Sequence, residues 1–197
     1  MDTIIFATKN KGKIKEINDI LADMDVQVLS MEEAGITADV VEDGTTFEEN
    51  AIKKATEIMK ISGKLTLADD SGLEIDYLDK APGVYSSRFM GEDTPYLEKN
   101  TAILQKLEGV PEEKRTARFV SCIAAVFPDG RVRTCRDTIE GIIGYEIKGS
   151  NGFGYDPIFF VPEIGKYLAE ISREEKNAIS HRGKALRKMK EILKNEL

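Results

Sequence analysis

The stretch Leu67-Ala68-Asp69-Asp70-Ser71-Gly72-Leu73-Glu74-Ile75-Asp76 most limits what this chain can fold into. An apolar run of strand character ends on two adjacent carboxylates and then meets Ser-Gly. This predicts a strand over 65–70 that stops there and delivers its acids to the edge of a sheet, where ligands of α/β proteins sit. Neighbouring carboxylates repel and resist burial unless a cation, a proton or a donor compensates them. The pair is therefore either a metal and water site or a solvated turn of the Asp-rich kind common after strands. The local pattern leaves both open.

The surrounding periodicity points to an α/β chain with a mixed sheet. Residues 3–7 read as a buried strand, 8–13 as a polar turn, and Ile14, Ile17, Leu21 and Met24 as one face of a helix. A strand is expected over 26–29. Thr45 or Thr46 caps the next helix, with Glu48 and Glu49 as capping-box partners, a buried stripe from Phe47 to Met59 and a stop at Gly63. After the acidic strand come a short strand over 73–77, a loop around Pro82-Gly83 and a helix over 94–107. A hairpin over 118–138 turns at Asp129-Gly130. Pro157 makes the segment 155–160 an edge strand or a strand start. Ser172 and Glu175 form another capping box, and Leu186, Met189, Ile192 and Leu193 mark a terminal helix.

Charge narrows the partners. With 28 Lys and Arg against 35 Asp and Glu, the 197-residue chain carries −7, which disfavours general nucleic-acid binding while leaving room for a small anion in a local basic cleft. No apolar run reaches the length of a membrane span, and the N-terminus has no basic, cleavable leader, so a cytosolic protein is expected. Cys122 and Cys135 fall diagonally offset on the predicted hairpin, a poor disulfide geometry, and read as reduced core thiols.

Four segments carry chemistry. Thr8-Lys9-Asn10-Lys11-Gly12-Lys13 lies between a strand and a helix start, where free N–H groups and the helix dipole receive anions. It lacks P-loop spacing, and a solvated lysine turn is the alternative. Glu42 precedes a helix, either as a dipole-favoured acid or, if it meets Asp69 and Asp70, as one of three hard oxygen ligands suited to Mg²⁺. In the segment 149–157, which holds Gly149, Gly152 and Gly154, Phe153 or Tyr155 could stack on a planar base and Asp156 could accept from a base or ribose; an ordinary glycine-rich loop with aromatic core anchors is the alternative. Finally, Lys176, His181 and Arg182 concentrate donors. The single histidine argues against a Ser-His-Asp or multi-histidine zinc centre.

Taken in order, these segments resemble the inosine/xanthosine triphosphate pyrophosphatase family, the non-standard purine NTP pyrophosphatases. The matching runs are 7–13, 46–51, 68–73, 81–88, 152–159 and 180–183, with Lys9-Asn10 standing where many members have Gly-Asn. The resemblance implies one nucleotide pyrophosphatase domain over 1–197. Its expected form is an elongated mixed β-sheet with flanking helices in two lobes around a central nucleotide-binding cleft, usually as a cytoplasmic homodimer. The implied reaction is Mg²⁺-dependent hydrolysis of ITP, dITP, XTP and dXTP to the monophosphate and pyrophosphate. By position, Asp70 matches the acid that activates water and binds metal, and Glu42 and Asp69 match metal support. Thr8, Lys9, Asn10, Lys11, Gly12 and Lys13 match the triphosphate turn, and Ser71 a substrate contact. Phe153, Gly154, Tyr155, Asp156, Lys176, His181 and Arg182 match the base and phosphate pocket. The alternatives are a Maf-like pyrophosphatase with another base preference and a non-catalytic nucleotide- or RNA-binding module.

Overall fold

Parallel strands need a crossover between them, and the first 75 residues supply two. The computed structural model describes residues 1–197. Strand β1 (Asp2–Phe6) is followed by helix α1 (Lys11–Leu21), β2 (Val26–Ser30), α2 (Phe47–Ser62) and β3 (Leu65–Ile75). β1 pairs in parallel with β2, placing Ile4 beside Val28, and with β3, placing Phe6 beside Leu67. Each helix begins where a side chain satisfies its first amides. Asn10 caps α1, and Thr46 caps α2 by accepting from Glu49 N at 3.0 Å. The Glu49 carboxylate returns to Thr45 N at 2.7 Å, so both threonines take part. At the other end Gly63, at φ 65°, closes α2 onto Met59 O.

Two expectations change here. The turn over 8–13 is shorter than its polarity suggested, because Lys11, Gly12 and Lys13 already form the first turn of α1. The strand expected to stop at Asp70 instead runs unbroken through Ser71-Gly72 to Ile75, and the separate strand over 73–77 is its second half. The acids do not end the strand because each is compensated where it stands, as described below, and Leu73 and Ile75 beyond them are buried.

The remaining elements are β4 (Ala81–Pro82), α3 (Tyr96–Lys106), β5 (Thr116–Val126), β6 (Val132–Ile143), β7 (Phe159–Val161), β8 (Lys166–Tyr167), α4 (Arg173–Ile179) and α5 (His181–Glu196). The sheet has eight strands in the order β2-β1-β3-β5-β6-β7-β8, with β4 on β3. It is mixed: β3/β4, β6/β7 and β7/β8 are antiparallel. Gly130, at φ 90°, makes the turn between β5 and β6. Pro157 lies in a 3₁₀ turn immediately before β7, the strand-start alternative. The capping box at Ser172 and Glu175 forms as expected. Cys122 and Cys135 are free thiols. No helix is long and apolar enough to cross a membrane.

The chain divides into two compact units. The first comprises residues 1–70, 121–137 and 182–197. Within it the sheet separates two apolar layers. Ile4, Phe6, Leu65 and Leu67 pack with Ile17 and Leu21 of α1 and Leu186 and Met189 of α5. Ile5, Ala7 and Ala68 pack with Ala51, Ala55 and Ile58 of α2. Alternate residues of one strand thus serve opposite layers, as the pleat requires. The second unit, 71–120 and 138–181, has its own core built from Leu73, Ile75, Ile103, Phe119, Ile143, Tyr155 and Phe159.

Candidate active site

The alternation that sorts Leu67 from Ala68 also sorts the two acids. Asp69 continues the Leu65–Leu67 series and faces α1 and α5; Asp70 continues the Ala68 series and faces α2. Both stand just past the carboxyl end of β1, whose Phe6 pairs with Leu67.

Asp69 is 1% exposed and sits among cations. Lys13 Nζ donates to both its oxygens at 3.0 and 3.1 Å, and Arg182 Nε donates to Oδ2 at 3.1 Å. Burial alone would raise its pKa, but Lys13, Arg182 and Lys54 hold the carboxyl well below the usual carboxylate range. Arg182 also approaches Glu16 at 3.7 Å. Four charges therefore share one buried cluster, in which geometry and mutual compensation offset the cost of desolvation.

Asp70 behaves in the opposite sense. Burial, then the nearby Glu42 charge, pushes its pKa up to about 7, against the pull of a hydrogen bond from Asn50 Nδ2 at 3.0 Å. Lys54, one turn beyond Asn50 on α2, pairs with Glu42 and donates to the Asp69 carbonyl at 3.0 Å. A carboxylate held protonated near neutrality by burial and a second acid is a place where added positive charge is welcome. The donor set Glu42 and Asp70 thus fits a hard divalent cation, which commonly takes one or two carboxylates and completes its shell with water and phosphate oxygens.

The three acids expected as ligands face two different layers of the sheet. No group of three or more His, Cys, Asp or Glu side chains converges on a metal-sized space. The pleat turns Asp69 to the other layer, where Lys13 and Arg182 pair with it.

At the start of α1, Thr8 is buried and its Oγ1 accepts from Asn10 N at 3.1 Å. Asn10 Oδ1 accepts from Gly12 N and Lys13 N at 2.8 and 3.2 Å. These two amides, expected to be open to an anion, are therefore committed to the cap. Lys9 is exposed and pairs with Asp39, and Lys11 and Gly12 are also exposed. Lys13 alone of the three lysines reaches the buried cluster. Ser71 lies within β3, half-buried.

In the second unit the glycine-rich segment forms a hub around Asp156. Its Oδ2 accepts from Lys176 Nζ at 2.5 Å and from Phe153 N at 3.1 Å. Lys176 stands 4.5 Å over the Phe153 ring, which is 58% exposed. Tyr155 is not the second stacking ring that the sequence allowed. It is 3% exposed, its hydroxyl donates to Ser86 O at 2.5 Å, and its ring meets Tyr96 edge-on at 5.2 Å. Asn100 Nδ2 holds the Gly154 carbonyl at 3.1 Å. His181 is buried and stacks on Phe119 at 5.0 Å. Arg182 is committed to Asp69 and Glu16, so the simple image of two adjacent donors aimed at one ligand does not describe it.

Sequence reasoning missed Glu16, Asn50 and Lys54. For the last two a signal existed: a polar pair at i, i+4 flanking Ala51 and Ala55 of a buried stripe demands partners.

Parallel strands whose carboxyl ends carry a charged cluster, beside a capped helix start, define an α/β protein of the kind that binds ligands at its strand ends. A sequence model of the Ham1 family matches residues 4–192. The dITP/XTP pyrophosphatase of Desulforamulus reducens is 52% identical over 190 residues, covering 96% of this chain and 94% of that protein. The dITP/XTP pyrophosphatase of Clostridium perfringens is 47% identical over 203 residues and the whole of both chains. A solved HAM1 protein from Coxiella burnetii superposes with a TM-score of 0.93 at 40% identity, covering 99% of this chain and 100% of that one. The chain belongs to the Ham1 family.

Proposed function

We propose that this protein hydrolyses the deaminated purine nucleoside triphosphates ITP, dITP, XTP and dXTP to the monophosphate and pyrophosphate, with Mg²⁺ as cofactor. The observation that carries the reading is the placement of Asp70 just past the carboxyl end of β1, one oxygen held by Asn50 Nδ2 at 3.0 Å and the Glu42 charge near enough to raise its pKa. The substrate class is supported by the relatives named dITP/XTP pyrophosphatase, which are 52% and 47% identical over almost their full lengths.

Glu42 and Asp70 would hold the cation, which when bound draws negative charge from the phosphoryl oxygens. Asp70 orients the attacking water and accepts its proton as the new oxygen–phosphorus bond forms; the anhydride bond between the α and β phosphorus atoms breaks and pyrophosphate leaves. Lys13 offsets phosphate charge at the start of α1, with Thr8, Lys9, Asn10, Lys11, Gly12 and Ser71 as the flanking contacts. In the second unit, the exposed Phe153 ring offers a face to the base, Gly154 lets the chain pass close to it, and Asp156 and Lys176 fix that loop. His181 is the donor we assign to the 6-oxo group. An adenine amino group would set donor against donor there, a mismatch that discriminates strongly. On this reading the working form is a cytoplasmic homodimer; a net charge of −7 speaks against a nucleic-acid partner.

The test is a panel of ITP, XTP, GTP and UTP with product identification. ITP and XTP should release pyrophosphate much faster than the others, and Asp70→Asn should stop turnover while nucleotide binding survives. Equal rates across the panel would sink the base assignment, and a fully active Asp70→Asn would sink the site.

A further inference from the structure

Asn50 stands at the first turn of α2, is 1% exposed, and is spent entirely on polar partners. Its Oδ1 accepts from Gly44 N at 2.7 Å, and its Nδ2 donates to Asp70 Oδ2 at 3.0 Å. The orientation of the amide is dictated by chemistry: Gly44 N–H can only donate, so the oxygen must face it and the NH₂ must face Asp70. One side chain thus ties together the 42–44 segment that carries Glu42, the start of α2, and the middle of β3.

The fit around it is close. A Cβ on residue 44 would stand 2.7 Å from Asn50 Oδ1 and 2.9 Å from Glu49 Cβ, so a glycine is needed for this segment to reach the amide. Thr46 caps the same turn of α2 through Glu49 N at 3.0 Å, so the Asn50 backbone is itself anchored. The side chain is therefore held at its backbone and at Oδ1 by elements that do not depend on Asp70.

We infer that Asn50 is a positioning residue: it fixes one oxygen of Asp70 and, through Gly44, the place of Glu42, so that the two acids present their remaining oxygens to a divalent cation and to water as a preset pair. The inference rests on the reading of Glu42 and Asp70 given above. It assigns Asn50 no contact with nucleotide. Removing the amide should therefore damage cation binding and the chemical step while leaving nucleotide affinity nearly alone. A residue that served folding only would lower stability and leave both properties of the folded enzyme unchanged.

Two variants separate these cases. Asn50→Ala removes both hydrogen bonds. Asn50→Asp keeps the shape and the acceptor for Gly44 N but turns the donor facing Asp70 into an acceptor, and its folding is checked by circular dichroism before the assay. Binding of Mn²⁺ to the nucleotide-free protein, followed by electron paramagnetic resonance, should weaken about tenfold in Asn50→Ala. In both variants kcat for XTP should fall at least tenfold with KM changed less than threefold. If Asn50→Ala does not fold, the kcat and KM of Asn50→Asp decide. Wild-type Mn²⁺ affinity and kcat in folded Asn50→Ala, or wild-type kcat in Asn50→Asp, would overturn the inference. Asp70→Asn is measured alongside: if it keeps turnover, the site reading itself has failed, whereas an inactive Asp70→Asn beside a fully active Asn50 variant refutes the role of Asn50 alone.

Discussion

Asp69 and Asp70 are consecutive residues of one strand, yet their surroundings drive their protonation in opposite directions. Asp69 has Lys13 and Arg182 within hydrogen-bond reach and stays ionised; Asp70 has Glu42 for a neighbour and a single amide donor. Removing the charge at 69 would take from Lys13 and Arg182 the carboxylate they share. Asp69→Asn is therefore expected to destabilise the fold by on the order of 3 kcal/mol in urea titration, the scale on which broken buried pairs are felt. A variant within experimental error of wild type would show the cluster to be better hydrated than its geometry implies. The pairing itself was not legible in the chain. Arg182 lies more than a hundred residues from Asp69, and no local period announces a partner at that distance.

Elements were legible where short-range chemistry decides them. Thr46, Gly63 and Ser172 mark their helix ends because capping acts over three or four residues. β3 was misjudged at the same range: Asp-Asp-Ser-Gly has the composition of a turn, and only tertiary partners make it strand. Two-residue β8 was invisible, being too short to show a period. The glycine-rich loop drew attention in the sequence for its composition, and two of its glycines have no room for a side chain: a Cβ at Gly149 would stand 2.3 Å from Ala169 O. Gly152, at φ 70°, has no room for a side chain, since a Cβ there would stand 2.2 Å from Asp156 Oδ2. Gly152→Ala should displace the carboxylate that holds Lys176 and the Phe153 amide, and lower kcat/KM for XTP at least tenfold in steady-state assays. Gly130→Ala is the control: its φ of 90° is equally unfavourable, but nothing lies within 4 Å of the new Cβ. It should cost about 1 kcal/mol in stability and leave kcat/KM unchanged.

At the scale of the whole molecule, the two acids give the protein a pH dependence whose sign can be worked out. Asp70 has a folded pKa of about 7, above its ordinary value of 3.8, so the native state holds a proton that the unfolded chain releases. Its contribution to stability is complete below about pH 4 and is lost as pH rises through 7. Asp69, lowered instead, contributes above the ordinary carboxylate range and fails only in acid. In chelator, wild-type thermal stability should therefore decline between pH 5 and pH 8. Asp70→Asn should flatten that decline, and Mn²⁺ should abolish it by binding the ionised pair. A flat wild-type profile in chelator would contradict the environment assigned to Asp70. The alternation of strand and helix made the mixed α/β class legible, and six ordered motifs made the family legible. The assignment of each acid to its layer was not, because it depends on which face of the sheet α2, α1 and α5 cover.

The pleat of β3 has one more consequence, and it concerns parity. Asp69 and Asp70 take their roles from being odd and even positions of one strand. Inserting a single residue between Leu65 and Asp69 would exchange their faces, sending the acid meant for Lys13 and Arg182 toward Asn50 and its neighbour toward the cations. Inserting two would lengthen the strand but return each acid to its own side. For this segment, then, a length change of two is a gentler edit than a change of one.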